Sequence, residues 1–268
     1  MDDPIKVEKD QNIAKIYLNR PQVMNAINVE MRIRLEEELK KLAMDNSVRV
    51  LIITGAVTQE KRKAFSSGDD LRDPGFSYES PNVLLESYNT VNKMRNLYDL
   101  IDDYPKPIIA MVNGVCLGGG LELALSSDFI FASDNAVFGF PEINLGFIPA
   151  WGGTQRLMRK IGETNAKRLI FTGETIDAKK AKEINLVDVL TSDEELEKIT
   201  LDFAKKIAEK SPLTLLMAKR IIEKGTECSL QSGLLYEVLS LMLSIKTEDM
   251  KEGINAFFEK RKPEFKGK

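Results

Sequence analysis

The chain opens with apolar and polar residues in alternation. Within residues 5–18, Ile13, Lys15 and Tyr17 fall on one face and Ala14, Ile16 and Leu18 on the other. A period of two predicts a strand. Between residues 28 and 45 the period lengthens: Met31, Leu35, Leu39 and Leu42 recur at helical spacing and predict an amphipathic helix. Residues 50–54 form a continuous apolar run ending at Gly55, the mark of a buried strand. Residues 57–81, rich in Gly, Pro, Ser and charge, predict a long loop, and loops of that length are commonly functional. A second long helix is expected over 82–102, with Pro105 and Pro107 bracketing the turn into a strand at 108–112. Next come a helix opening on glycines (118–127), a strand (129–132), helices over 154–161, 166–171 and 177–183, and a strand at 186–190. This alternation predicts an α/β fold. From residue 193 the pattern is helical only, with Ser211-Pro212 reading as an N-cap followed by proline at the first helical position. The expected division is therefore residues 1–192 and 193–268. In the second part, Leu234, Leu235, Val238, Leu239, Leu241, Met242 and Leu243 cover nearly every side of one helix. Such a helix requires burial all round, either by another subunit or by its own chain.

Composition narrows the function. The 268 residues are 43% hydrophobic and 29% charged, ordinary values for a soluble globular protein. A net charge of -3 offers no clustered positive charge for nucleic acid, apart from the basic tail at 260–268. That tail reads as solvated surface or as a partner for one anionic group. The acidic N-terminus lacks the apolar core of a signal peptide. Residues 107–125 are the one run that resembles a membrane span, but Asn113, Glu122 and three consecutive glycines favour a buried strand–turn–helix. Cys116 and Cys228 read as reduced core thiols, pointing to a cytoplasmic location and no membrane partner.

Histidine is absent. This excludes Ser-His-Asp and Cys-His catalysis and His-ligated metal sites. No closely spaced cysteines replace them, and no dinucleotide-binding or phosphate-loop pattern occurs. Acid–base chemistry falls to carboxylates, Lys, Tyr or Cys.

Three stretches carry candidate chemistry: residues 64–71 (AFSSGDDL), 109–129 (IAMVNGVCLGGGLELALSSDF) and 138–154 (FGFPEINLGFIPAWGGT). In the second, a strand runs through three glycines into a helix. Side-chain-free residues admit a ligand close to the backbone, and the first amides of a helix lack intrahelical partners. Such amides suit an oxyanion. Glu122 lies in the first turn, where it suits either acid–base work or simple stabilisation of the helix dipole. Spacing alone reads Glu142 as a surface carboxylate.

Together these stretches resemble the crotonase (enoyl-CoA hydratase/isomerase) superfamily. The segment at 109–129 fits the family signature, GFPEINLGFIPAWGGTQRL fits a second hallmark, and LNRPQVMNAI and FFEKRKPEF fit two more. The resemblance covers almost the whole chain. It implies the crotonase (ClpP-like) fold, repeated β-β-α turns forming two roughly perpendicular sheets, plus a C-terminal helical region used in trimerisation. Trimers of the family usually pair into hexamers, which favours the intersubunit reading of the apolar helix.

The resemblance also implies an acyl-CoA substrate, with coenzyme A entering as part of that substrate and no permanently bound cofactor or metal. The backbone N–H groups of Asp69 and Gly119 match the family's oxyanion hole. Glu122 and Glu142 match the two hydratase glutamates, where family isomerases commonly keep one. Met24, Ala26, Ser67, Gly68, Asp70 and Leu71 fall where the family holds the adenine and pantetheine. Phe257 and Lys260 match C-terminal contacts to CoA, often from a neighbouring subunit. Three residues depart from the common pattern: Asp69 replaces a small or apolar residue, Phe140 replaces a frequent Gln, and Trp151 replaces a small residue. Phe140 and Trp151, with Phe76 and Tyr78 of the long loop, are candidates for the acyl pocket. The expected activity is hydration of a 2-enoyl-CoA. The alternatives are isomerisation, hydration of a cyclic or dienoyl-CoA, or decarboxylation on the same scaffold. A nucleic-acid-binding role is disfavoured by the acidic balance.

Overall fold

The computed structural model describes residues 3–58, 63–73 and 83–268, with side chains of helix 83–102 described at Tyr88 and from residue 92 onward. Its first finding corrects the reading of residues 5–18 as one strand. They form a hairpin of β1 (Ile5–Asp10) and β2 (Ile13–Leu18), paired antiparallel from Ile5 opposite Leu18 to Asp10 opposite Ile13. The reversal occurs at Gln11, whose φ is 51°. Helix α1 (Val29–Met44) follows, capped by the Asn28 side chain accepting from the Met31 N–H. It buries Met31, Leu35, Leu39 and Leu42, as the spacing predicted. Each such side chain contributes roughly 1.5–3 kcal/mol by leaving water.

The chain then shuttles between two sheets. β3 (Val50–Gly55), β5 (Ile108–Val112) and β7 (Phe129–Ser133) join a six-stranded sheet in the order β1-β2-β3-β5-β7-β10, with β10 at Val189–Thr191. Apart from the first hairpin, this sheet is parallel. After each of those three strands comes a short strand of a second sheet: β4 (Ala64–Ser66), β6 (Val115–Leu117) and β8 (Val137–Gly139), closed by antiparallel β9 (Thr175–Asp177). Helices follow the short strands: α2 (Val83–Asp102), α3 (Gly119–Leu125), then α4 (Gly153–Ile161) and α5 (Glu163–Thr172). This is the repeated β-β-α architecture. α6 (Ala178–Glu183) leads into β10.

Both faces of the larger sheet are covered, so β3 and β5 read as continuous apolar runs. Leu51, Ile53, Ile108, Ala110 and Val112 join the main core. Val50, Ile52, Ile109 and Met111 face the other way and pack with Leu196, Ala204 and Ala208 of α7 (Leu196–Ala208). Beyond α7 lie α8 (Pro212–Gly225), capped by Ser211, α9 (Leu230–Ser244) and α10 (Glu248–Glu259). Neither α8 nor α9 contains a buried residue. In the single chain α9 is therefore not buried all round: Leu235, Val238, Leu241 and Met242 are each more than half exposed. The basic tail is tied down by its backbone, with the N–H groups of Lys266 and Gly267 donating to Asp249 at 2.7 and 2.9 Å. Cys116 is buried as expected, but Cys228 is only half-buried; both are free thiols. Among the described residues, no helix is long and apolar enough to cross a membrane.

One buried polar residue joins the segments that border the site. Asn25, at φ 53°, donates to the carbonyls of Ala56 (3.0 Å) and Ala64 (2.8 Å) and accepts from the Arg20 N–H (3.0 Å). Asn25→Ala removes all three bonds and leaves buried backbone groups unpaired. The expected cost is about 2–4 kcal/mol, read as a lower urea midpoint at unchanged slope. A midpoint equal to wild type would show that the Asn25 junction does not hold the fold.

Candidate active site

β4 and β6 run parallel and side by side, so the turns that leave them end next to each other. Gly68, at φ 101°, leaves β4; Gly118, at φ 49°, leaves β6. A Cβ at Gly68 would sit 3.1 Å from the Leu117 carbonyl oxygen and 3.4 Å from the Gly119 nitrogen. A Cβ at Gly120 would sit 2.6 Å from the Ser66 carbonyl oxygen. Glycine at these positions is what allows the two backbones to meet. The N–H groups of Asp69 and Gly119 donate to none of the turn, loop or cap acceptors of the described chain. Two free donors on adjoining turns, one at the start of α3, are what a developing oxyanion requires.

Both predicted glutamates border these turns. Glu122 projects from the first turn of α3 and is 1% exposed. Its Oε1 accepts from the N–H groups of Trp151 and Gly153, each at 2.7 Å. Glu142 lies in the 3₁₀ turn Pro141–Leu145 and is 7% exposed, not the surface carboxylate its spacing suggested. Its Oε1 lies 2.8 Å from where a Cβ of Gly118 would be, and its Oε2 is buried without a hydrogen-bond partner. An unpaired buried carboxylate oxygen is costly, and such atoms mark places where water or a substrate completes the bonding.

Burial pushes the Glu122 carboxyl up to about 8. The N–H of Gly153 opposes that shift, and the charges of Asp69 and Glu142 add to it. Burial likewise pushes Glu142 up to about 7. Two adjacent carboxyls that titrate near neutrality can exchange one proton with a substrate in either direction.

The other predicted residues divide into two groups. Residues 23–27 and 66–71 are joined side by side: Ser67 N–H to the Met24 carbonyl (3.0 Å), Ile27 N–H to the Gly68 carbonyl (2.8 Å) and Asp70 N–H to the Ile27 carbonyl (2.9 Å). Arg20 adds bonds to the Ala26 carbonyl (2.7 Å) and the Asp70 carboxylate (2.9 Å). Met24, Ala26, Ser67, Gly68 and Asp70 therefore form one rim beside the turns, with Leu71 half exposed at its end. Phe257 is 78% exposed near the end of α10, and Lys260 is its left-handed cap. Neither bonds to the site within this chain. Phe140 is fully buried, its ring edge 2.9 Å from the position a Cβ of Gly153 would take, so it packs behind Glu122. Trp151 is 5% exposed and in the site. Phe76 and Tyr78 lie outside the described residues.

Sequence reading missed Arg32 and Tyr98. Arg32 is 7% exposed, pairs with the Asp69 carboxylate and lies 5.0 Å from the Trp151 ring centroid. Its signal was a charge set three and seven residues before Leu35 and Leu39, on the buried stripe of α1. Among the described residues, no cluster of His, Cys, Asp or Glu could hold a metal ion.

Known proteins resemble the chain along almost its whole length. It is 40% identical over 264 residues to the 2,3-dehydroadipyl-CoA hydratase of Escherichia coli, covering 98% of each chain. It is 36% identical over 261 residues to the crotonyl-CoA hydratase of Syntrophomonas wolfei, covering 97% of each. The crystal structure of an enoyl-CoA hydratase from Bacillus anthracis superposes with a TM-score of 0.91 at 36% identity, over 99% of this chain and 100% of that one. Residues 8–268 match the family described as enoyl-CoA hydratase/isomerase. The chain is thus an acyl-CoA-directed enzyme with the crotonase fold, and it belongs to the enoyl-CoA hydratase/isomerase family.

Proposed function

We propose that the protein is a 2-enoyl-CoA hydratase, adding water reversibly across the 2,3 double bond to give a 3-hydroxyacyl-CoA. The observation that carries this reading is the pair of buried glutamates, both titrating near neutrality, beside two unpaired backbone donors. The thioester oxygen accepts from the N–H groups of Asp69 and Gly119. Polarisation of that oxygen lets the β-carbon accept a nucleophile and stabilises the enolate that forms; each donor contributes about 3 kcal/mol. Water sits between Glu122 and Glu142. Glu122 takes its proton as the oxygen attacks the β-carbon, and Glu142 gives a proton to the α-carbon. This needs Glu122 ionised and Glu142 protonated. Burial raises both carboxyls into the same range, so the proton can reside on either of them.

The rim of Met24, Ala26, Ser67, Gly68, Asp70 and Leu71 holds the CoA portion, largely through backbone. Phe257 and Lys260, exposed in one chain, reach CoA from a neighbouring subunit. The exposed apolar side chains of α9 supply the contact that makes a homotrimer, or a dimer of trimers, in the cytoplasm. Trp151 bounds the acyl side, and Phe140, fully buried, backs Glu122 instead. The chain's relatives include a 2,3-dehydroadipyl-CoA hydratase and a crotonyl-CoA hydratase.

Crotonyl-CoA is the first substrate to try, with loss of the conjugated enoyl absorbance as the readout. Glu122→Gln and Glu142→Gln should each lower kcat at least ~100-fold, the scale of general acid–base catalysis. Isomerisation of a 3-enoyl-CoA without hydration of any 2-enoyl-CoA would instead make the protein an isomerase of this family.

The reaction works with one proton on the glutamate pair. Below both values neither carboxyl can act as base; above both, neither can act as acid. The kcat/KM profile should therefore be a bell with limbs near pH 7 and 8. A flat profile from pH 6 to 9 would show that the pair is not the acid–base machinery.

The same burial has a stability consequence. Glu122 ionises near 8 in the folded state against 4.5 for an ordinary carboxyl. Between those values the folded protein binds the extra proton, so stability falls as pH rises. Glu122→Gln removes this penalty while its oxygen can still accept both N–H groups. The variant should be ~2–4 kcal/mol more stable than wild type at pH 8 and nearly equal to it at pH 4. Denaturation curves at the two pH values read this directly, and a variant less stable at pH 8 would contradict it.

A further inference from the structure

Asp69 places a carboxylate on the residue whose N–H serves the thioester oxygen, and both carboxylate oxygens are engaged. Oδ1 pairs with the Arg32 guanidinium, and Oδ2 accepts from the Trp151 indole N–H at 2.6 Å. Trp151 also donates its backbone N–H to Glu122 Oε1 at 2.7 Å, and its carbonyl accepts from Arg156 of α4 at 2.9 Å. One residue thus holds Asp69 with its side chain and Glu122 with its backbone. The Trp151 ring stacks on Tyr98 of α2, centroids 6.2 Å apart and planes 14° from parallel. Arg32 reaches both rings from α1, 5.0 Å from the Trp151 centroid and 5.6 Å from that of Tyr98. The Tyr98 hydroxyl accepts from Arg32 at 3.4 Å and donates to the Gly119 carbonyl at 3.3 Å. Asp69 and Gly119, the two oxyanion residues, are therefore both touched by this cluster.

None of the hydration steps uses Arg32, Tyr98 or the indole of Trp151. A buried ion pair adds little net stability compared with apolar packing, so stability alone does not account for it. It does fix geometry, and geometric errors of about 1 Å cost catalysis roughly 100-fold. We propose that Arg32, Tyr98 and Trp151 are positioning residues that clamp Asp69, and that this clamp sets the oxyanion donors and the Glu122 carboxylate in register with each other. The proposal rests on the hydratase reading.

The titratable groups that face one another here are Arg32 from α1, Tyr98 from α2, Asp69 from the β4 turn, Glu122 from α3 and Glu142 from its 3₁₀ turn. The negative charge of Asp69 raises both glutamates. Asp69→Asn removes that charge and leaves Arg32 uncompensated, so both glutamates should ionise at lower pH. The kcat/KM bell should move down by about one pH unit, and kcat at its optimum should fall roughly 10- to 100-fold. Asp69→Asn with Arg32→Gln restores neutrality, and its bell should return toward the wild-type position, a non-additive effect. Trp151→Phe keeps one aromatic ring but removes the indole N–H together with the fused five-membered ring. It should lower kcat by about 10-fold with KM for crotonyl-CoA within about 3-fold, because the lost interaction bears on the reacting atoms and not on CoA.

Trp151 is the only tryptophan in the chain. Its emission reports on the clamp whether or not the protein hydrates an enoyl thioester. Emission should titrate between pH 6 and 9, with a lower midpoint in Asp69→Asn. A wild type that hydrates no enoyl-CoA overturns the proposed reaction. An emission midpoint unchanged by Asp69→Asn overturns the clamp, as does a loss of kcat with an unmoved bell, which would mark a purely structural role.

Discussion

The site depends on two backbones meeting with no side chains between them. β4 and β6 deliver Gly68 and Gly118 to adjoining positions, and the space a methyl group would need at Gly118 is already taken by the Glu142 carboxylate. Glycine is required twice over at both positions, for the left-handed φ and for the contact. At Gly153 the contact alone requires glycine, since a Cβ there would lie 2.8 Å from Glu122 Oε1. The glutamates are thus pressed against main chain from which water is excluded. Their proximity to the unpaired N–H groups follows from sheet pairing, not from any long-range attraction between the residues.

Excluding water has opposed consequences. It raises the free energy of each carboxylate and so works against the fold, yet it brings two carboxyls into the pH range where they can trade protons with a substrate. The surrounding structure compensates unequally. Glu122 receives two backbone N–H bonds, whereas one oxygen of Glu142 receives none. An anchored carboxylate and an unsatisfied one suit different tasks. The first is held still, and the second has bonding capacity left for an incoming water.

Legibility in the sequence followed element length. α1, β3 and β5 repeat their period often enough to be read directly, and α1 begins and ends within a residue of the expected limits. The second sheet was illegible because β4, β6, β8 and β9 have three residues each, too few to show alternation. β4 also lies inside the segment read as one long loop. The β1–β2 hairpin was missed although the polar run at residues 8–12 interrupts the alternation; the turn itself lacks Gly or Pro and rests on the positive φ of Gln11. At the site, glycines and Glu122 stood out locally. Glu142 did not, since its burial comes from Gly118, which is distant in sequence. Its importance was visible only through resemblance to a family. The pattern of α9 was read correctly as apolar, but one chain leaves that face exposed.

Two of the three residues that departed from the family pattern, Asp69 and Trp151, turn out to be related. Asp69 and Trp151 are 82 positions apart, yet they share a hydrogen bond. Separately, each substitution is unfavourable: a carboxylate beside oxyanion donors repels the charge that develops there, and a large indole needs a polar partner when buried. Together, each supplies what the other lacks, and Arg32 cancels the remaining charge. The apolar stripe of α1 tolerates that arginine because its guanidinium lies against two aromatic faces and ends on a carboxylate. A change at any one of the three would leave a buried polar group unpaired. The three side chains therefore depend on one another as a unit.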